Sequence, residues 1–245
     1  MSRPVLLIAG GSRGIGASTA RLAGARGYDV AVNYNTNANA AAGVVDAVKK
    51  SGGKAVAIQG DMAIEADIER VFDGAADKLG PITHFVHSSG IIGDYSRLDE
   101  ADTKKIKEVL DLDTFGAMLC LRACVQRMST KHGGKGGSVV MLSSMAAVIG
   151  GAGECVWYAA AKAAIDALVI GVSRETAKEG MRINAITPGV IDTDIQPPGR
   201  IERVGPMLPM GRPGKADEVA EGIMFLLSDA ASYINGANLR VSGAR

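Results

Sequence analysis

Aromatic side chains make up only 4% of the 245 residues, and cysteine occurs three times. Cys120, Cys124 and Cys155 form an odd set without a C-x-x-C pair, which argues against a disulfide framework and against the thiolate spacing of a zinc site. The three histidines, His84, His87 and His132, also lack metal-ligand spacing, so no metal is expected. Charge of one sign is missing too. Lys plus Arg number 27 against 26 Asp plus Glu, leaving no net field to draw in nucleic acid or an anionic membrane. The first apolar stretch, VLLIAGG from Val5, is too short to cross a bilayer and has neither the h-region nor the cleavage site of a signal peptide. The expected location is the cytoplasm, with neither a membrane nor a nucleic acid as partner.

What the chain does have is 47% hydrophobic residues and 32 glycines, a composition suited to helices packed closely on a sheet. Its length fits one substantial domain, 1–245. Short β-branched runs recur along it: VLLIA from Val5, VAVN from Val30, AVAIQ from Ala55, HFVHS from His84, SVVML from Ser138, RINAIT from Arg182 and ANLRV from Ala237. Helical patterns lie between them. Val44, Val45 and Val48 fall at helical spacing, as do Ile64, Ile68, Val71, Phe72 and Ala75. Continuous apolar strands alternating with amphipathic helices predict an α/β fold, a seven-stranded parallel sheet with helices on both faces in a Rossmann-type three-layer sandwich. The rhythm breaks near residue 192. Five of the eight prolines lie between Pro197 and Pro213, which predicts an irregular substrate lid over roughly 192–215.

The first strand runs straight into AGGSRGIG, placing Gly10, Gly14 and Gly16 at a strand-to-helix turn. Glycines let the backbone approach a pyrophosphate, and the following helix offers free N–H groups at its N-terminus. The second strand ends in VNYNTN, where an NAD site would carry an acidic residue for the ribose. Asn33, Asn35 and Thr36 carry no charge to repel a 2′-phosphate, and Arg13 is placed to pair with one. The expected cofactor is NADP(H).

The fifth strand ends in MLSSMAA, with Ser143 and Ser144 at the carboxyl edge where open parallel sheets bind ligands. Tyr158 and Lys162 follow in VWYAAAK, at a spacing that puts both on one helix face. Glycine loop, strand-end serine and Tyr-x-x-x-Lys in this order resemble the short-chain dehydrogenase/reductase family over residues 5–243. The resemblance implies that Ser12, Arg13, Ile15 and the three glycines hold the cofactor phosphates, with Asn35 near the ribose. It implies that Asp61 and Met62, from GDM, face the adenine, and that Ser88 and Gly90 border the cofactor. It also implies that Pro188, Gly189, Val190 and Thr193 line the nicotinamide, and that Lys162 holds its ribose.

In that setting Tyr158 is the expected acid and base and Ser144 the group orienting the reacting oxygen. Moving a phenol from near 10 to neutral pH takes roughly 4 kcal/mol. One ammonium about 4 Å away supplies on the order of 4 kcal/mol at an effective dielectric of about 20. Lys162 is therefore expected to lower the acidity threshold of Tyr158.

Two signatures depart from the family pattern. The fourth strand ends in HSSG, residues 87–90, in place of the usual Asn-Asn-Ala-Gly, and His87 there reads as a core residue. Asp113 stands where the family has an asparagine whose main-chain carbonyl serves a proton relay; an ionised Asp113 close to Lys162 would raise the tyrosine's pKa.

The substrate walls are expected from the segment between Ser144 and Tyr158, the proline-rich loop and the residues after Gly90. Met145, Ile149, Trp157, Ile92 and Met207 would give apolar surface, and Glu154 and Tyr95 polarity. No arginine clamp is evident. The helix after Tyr158 is apolar nearly all round, which predicts a homodimer interface and, by the resemblance, a tetramer.

The expected activity is hydride transfer between NADP(H) and a small carbonyl or secondary alcohol. The alternative within the family is a 3-oxoacyl carrier-protein reductase, for which Lys131, His132 and Lys135 would receive an acidic carrier. An alternative of another class is a non-catalytic NADP-binding sensor or scaffold, suggested by Asp113 and HSSG.

Overall fold

The structure is a computed structural model and describes residues 3–245. It alternates strand and helix from the start: β1 (Val5–Ala9), α1 (Gly14–Ala25), β2 (Asp29–Tyr34), α2 (Ala38–Lys50), β3 (Ala55–Gln59), α3 (Glu65–Leu79) and β4 (His84–His87). Then come α4 (Thr103–Leu110), a π-helical turn (Asp111–Gly116), α5 (Ala117–Met128), β5 (Gly137–Leu142), the short α6 (Ala146–Ile149), α7 (Val156–Thr176) and β6 (Met181–Pro188). The chain closes with β7 (Ile191–Asp192), α8 (Arg200–Val204), β8 (Gly214–Lys215), α9 (Ala216–Leu227) and β9 (Asn238–Val241).

Seven strands pair in the order β3-β2-β1-β4-β5-β6-β9, every pair parallel, as the sequence predicts. All five residues of β1 are buried because the sheet is covered on both faces. Leu7, Ala31, Phe85 and Val139 point to one face, against Ile68, Phe72, Leu121 and Ile165 of α3, α5 and α7. Leu6, Ile8, Val30 and Val86 point to the other, against Ala20, Val44, Val48 and Ile223 of α1, α2 and α9. Strand residues of alternating direction thus feed two separate cores.

Small residues set the spacing of the helices. A side chain at Gly24 would come 2.8 Å from Val48 Cγ1, so α1 and α2 approach as closely as they do only because that position is bare. The carbonyls at the end of α9 are satisfied from the sheet: Arg182 of β6 donates to Leu226, Leu227 and Ser228. Helix α7 is long and apolar enough to span a bilayer, yet Ile165, Val169 and Ser173 lie against the protein interior. Its outward stripe carries Ala160, Ala163, Ala167 and Ile170.

The sheet order reverses between β1 and β4. Their carboxyl ends diverge into a crevice, the usual ligand position in such folds. The segment 192–215 is less irregular than its prolines suggest. Ile191 and Asp192 pair with Gly214 and Lys215 as a small parallel ribbon, closing the segment at its base, and Gly199 in the left-handed region precedes α8.

Candidate active site

The crevice is a cleft of about 380 Å³ that runs from the glycine loop to the segment carrying α8. Its first wall follows from backbone constraints. Gly10 has φ +72 and Gly14 φ +53, conformations that favour glycine. A side chain at Gly10 would meet the Ser89 backbone nitrogen at 2.8 Å, and one at Gly16 would collide with the Gly10 carbonyl. The loop is anchored by Asn33, which accepts from Gly10 N at 3.1 Å and donates to Gly60 O at 3.0 Å. Asn33 borders the cleft as a buried anchor of the loop. Ser12, Arg13, Gly14 and Ile15 line the cleft, and Arg13 is exposed with no ion-pair partner among the described residues.

The next wall comes from β2, β3 and β4. Asn35 and Thr36 are exposed at the end of β2, and Asn35 donates to Asp61 at 3.3 Å. Asp61 caps Ala63 N at 2.9 Å, while Met62 is buried beside the Cys120 sulfur. Ser88, Ser89 and Gly90 follow β4 on the cleft surface. His87, one residue earlier, is fully buried and neither ring nitrogen has a hydrogen-bond partner. Burial, and then the Lys162 charge, bring its pKa down to about 3, so His87 is neutral. Pro188, Gly189, Val190 and Thr193 form the opposite wall. Gly189 must be bare, since a side chain there would lie 2.8 Å from Ser242 O.

At the centre the structure brings Ser144, Tyr158, Lys162 and Asp113 together. Ser144 leaves β5, its hydroxyl accepting from Ala146 N at 3.1 Å. Tyr158 and Lys162 share one face of α7, with Lys162 Nζ 5.5 Å from the tyrosine ring centroid. Lys162 is held by Leu142 O at 3.3 Å and by Asp113 Oδ2 at 3.1 Å. Asp113 faces the lysine with its carboxylate, delivered by the π-helical turn, and Ile91 N donates to Oδ1 at 2.9 Å.

This arrangement reverses one expectation. Tyr158 is not made more acidic: burial raises its pKa, Lys162 lowers it, and Asp113 raises it again. Burial disfavours the Lys162 ammonium, but Asp113 and Tyr158 outweigh it and the net direction is upward. For Asp113 burial dominates and raises the carboxyl, against the pull of Lys162 and Ile91 N–H.

The far end of the cleft is lined by Ile92, Tyr95, Met145, Ile149, Glu154 and Arg200. Trp157 is not a wall; it is buried and donates to Ile92 O at 2.8 Å, holding the loop after β4. Met207 is 79% exposed and lies outside the lining. Lys131, His132 and Lys135 precede β5, at the sheet edge opposite Ser144, and none lines the cleft. Arg200 was not legible beforehand. It comes from α8, forks onto Glu154 at 3.0 and 2.7 Å and stacks over Tyr95 at 4.8 Å.

A doubly wound parallel sheet with a bare glycine cradle at its switch point defines a dinucleotide-binding oxidoreductase fold. The cradle and the converging Tyr158 and Lys162 fit a nicotinamide dinucleotide. Residues 9–243 match the family model described as Enoyl-(Acyl carrier protein) reductase, and the chain belongs to the short-chain dehydrogenase/reductase family. It is 40% identical to an uncharacterized oxidoreductase, YgfF, of Escherichia coli (strain K12), covering 98% of this chain and 99% of that one. It is 34% identical to a 3-oxoacyl-[acyl-carrier-protein] reductase of Synechocystis sp., covering 99% and 97%. The solved structure of a short-chain dehydrogenase/reductase from Serratia marcescens superposes with a TM-score of 0.91 at 26% identity, covering 99% of this chain and 98% of that one.

Proposed function

We propose that this protein is an NADP(H)-dependent oxidoreductase that interconverts a small carbonyl compound and its secondary alcohol. The observation that carries the reading is the convergence of Ser144, Tyr158 and Lys162 at the carboxyl edge of β5, beside the glycine cradle. When bound, the nicotinamide supplies or accepts the hydride. Tyr158 gives a proton to the substrate oxygen in reduction and takes it in oxidation. Ser144 donates to that oxygen and orients it. Lys162 holds the nicotinamide ribose and tunes Tyr158.

Preference for the 2′-phosphate rests on Arg13, which has no ion-pair partner among the described residues, and on the end of β2, where Asn35 and Thr36 stand in place of a carboxylate. Asp61 and Met62 border the adenine, and Pro188, Gly189, Val190 and Thr193 the nicotinamide. The segment 192–215 acts as a substrate lid, with Arg200 joined to Glu154 as its latch. The stripe of Ala160, Ala163, Ala167 and Ile170 on α7, with the exposed Phe115 and Met118 nearby in sequence order on α5 and the turn before it, forms a subunit interface in a homodimer or homotetramer. Four charged residues on α7, Lys162, Asp166, Arg174 and Glu175, favour that role over a membrane span, consistent with a cytoplasmic enzyme.

Similarity to the Synechocystis reductase favours one second reading, a 3-oxoacyl carrier-protein reductase. The deciding experiment measures NADPH and NADH oxidation against ketones, diketones, aldoses and a 3-oxoacyl thioester, with Tyr158→Phe in parallel. Turnover with NADPH that falls by about 10²–10⁴ in the variant is expected. Tight NADPH binding without turnover on any substrate would overturn the enzymatic reading in favour of a nucleotide sensor.

A further inference from the structure

Asp113 and Lys162 form an ion pair at the heart of the cleft, both less than 5% exposed. Both carboxylate oxygens face donors, Oδ1 the Ile91 N–H at 2.9 Å and Oδ2 the Lys162 ammonium at 3.1 Å. Oδ2 has no hydrogen-bond donor besides this charge contact, so the ammonium is what the ionised carboxylate rests against. The fit is tight on the remaining side. A side chain at Gly90 would stand 2.9 Å from Asp113 Oδ2 and 3.2 Å from Lys162 Nζ, so the strand end is bare where the pair rests.

We propose that Asp113 is a positioning residue that neutralises Lys162 and thereby keeps Tyr158 as a phenol through the neutral range, so that the acid form required for carbonyl reduction persists to alkaline pH and alcohol oxidation rises only there. This inference rests on the oxidoreductase reading and adds a pH dependence to it.

The physics is that of a charge against a dipole. A lone ammonium beside Tyr158 stabilises the phenolate through a field that falls slowly with distance. A carboxylate 3.1 Å from that ammonium leaves the tyrosine only the difference of two opposed fields. Other groups around the pair do not restore the missing positive charge. Asp166, on α7, is a further acidic group acting on Lys162, and itself faces Arg240 of β9. His87 of β4 is neutral, and burial raises the Cys155 thiol and the Tyr95 phenol, which are neutral too. Ser144 favours the phenolate, but as a neutral hydroxyl.

In reduction a bound nicotinamide would supply the hydride to the carbonyl carbon and be oxidised in turn. As the C=O π pair moves onto oxygen, that oxygen takes the Tyr158 proton. The tyrosinate then regains its proton from solvent.

The test needs no substrate. Tyrosinate absorbance is titrated in the wild type and in Tyr158→Phe, and the difference isolates Tyr158. The same pair is measured in an Asp113→Asn background, with Asp113→Ser as a second neutral replacement. Wild-type Tyr158 is expected to stay a phenol through the neutral range, and both replacements to lower its midpoint by roughly one pH unit or more, a tenfold gain in acidity. The pH profile of alcohol oxidation should move the same way. A wild-type Tyr158 already ionised at neutral pH overturns the proposal even if no Asp113 variant folds. A midpoint that stays put while the melting temperature falls shows a merely structural Asp113 and also overturns it. Absence of turnover on every ketone would sink the oxidoreductase reading instead, leaving the titration result intact.

Discussion

Arg200 sets its guanidinium end-on against Glu154, with N–H···O distances of 3.0 and 2.7 Å, and so ties α8 to the loop before α7. The Arg200 side chain is 9% exposed and the Glu154 side chain 42%, so solvent screens part of the attraction. Arg200→Met and Glu154→Gln should each raise KM several-fold and leave kcat nearly unchanged, because the pair seats the substrate end of the cleft and touches no reacting atom. A double-mutant cycle on unfolding free energy should return a coupling of about 1 kcal/mol. A fall in kcat with KM untouched would contradict the assignment of a latch.

Arg13 has no ion-pair partner among the described residues and faces the cleft beside Asn35 and Thr36. If it receives a 2′-phosphate, Arg13→Ala removes a charge-assisted contact worth about 1.5–3 kcal/mol, roughly ten- to a hundredfold in affinity. Calorimetric titration should show NADPH binding weakened by that factor and NADH binding unchanged. Equal weakening of both would place Arg13 on the shared pyrophosphate.

His84 is half-buried and His87 fully buried, and desolvation takes their pKa values down to about 4 and about 3. Both folded values lie below the ordinary value of about 6.5. Between about 6.5 and those folded values the unfolded chain binds protons that the folded chain refuses, so stability falls as pH drops and is complete only above that window. Each histidine steepens the acid limb by about 1.4 kcal/mol per pH unit. Urea unfolding of His87→Asn, followed from neutral pH to about 5, should show a limb shallower by one proton's worth. An unchanged slope would mean that His87 takes up its proton inside the fold.

Legibility followed the range of the interactions. The alternation of strand and helix, the glycine cradle and the shared face of Tyr158 and Lys162 depend on neighbours a few residues apart, and each could be read directly. The two-sided burial of β1 was implied by its lack of alternation. The orientation of Asp113 was not accessible, because the π-helical turn shifts the backbone register that aims its carboxylate. Arg200 and Glu154 lie 46 residues apart and carry no local pattern that pairs them. Trp157 looked like a pocket wall because it stands only about 100° round α7 from Tyr158, and only the packed helix decides which of the two meets the cleft. The anchoring role of Asn33 was likewise out of reach, since its partners Gly10 and Gly60 lie more than twenty residues away on either side.

The wall at Gly189 rests directly on Ser242, and β6 completes its pairing only with β9. The glycine loop that opposes this wall is written at the other end of the chain. A chain cut before Asn238 would therefore keep both the cradle and Gly189, yet lose the strand that backs the wall and leave β6 with an open edge.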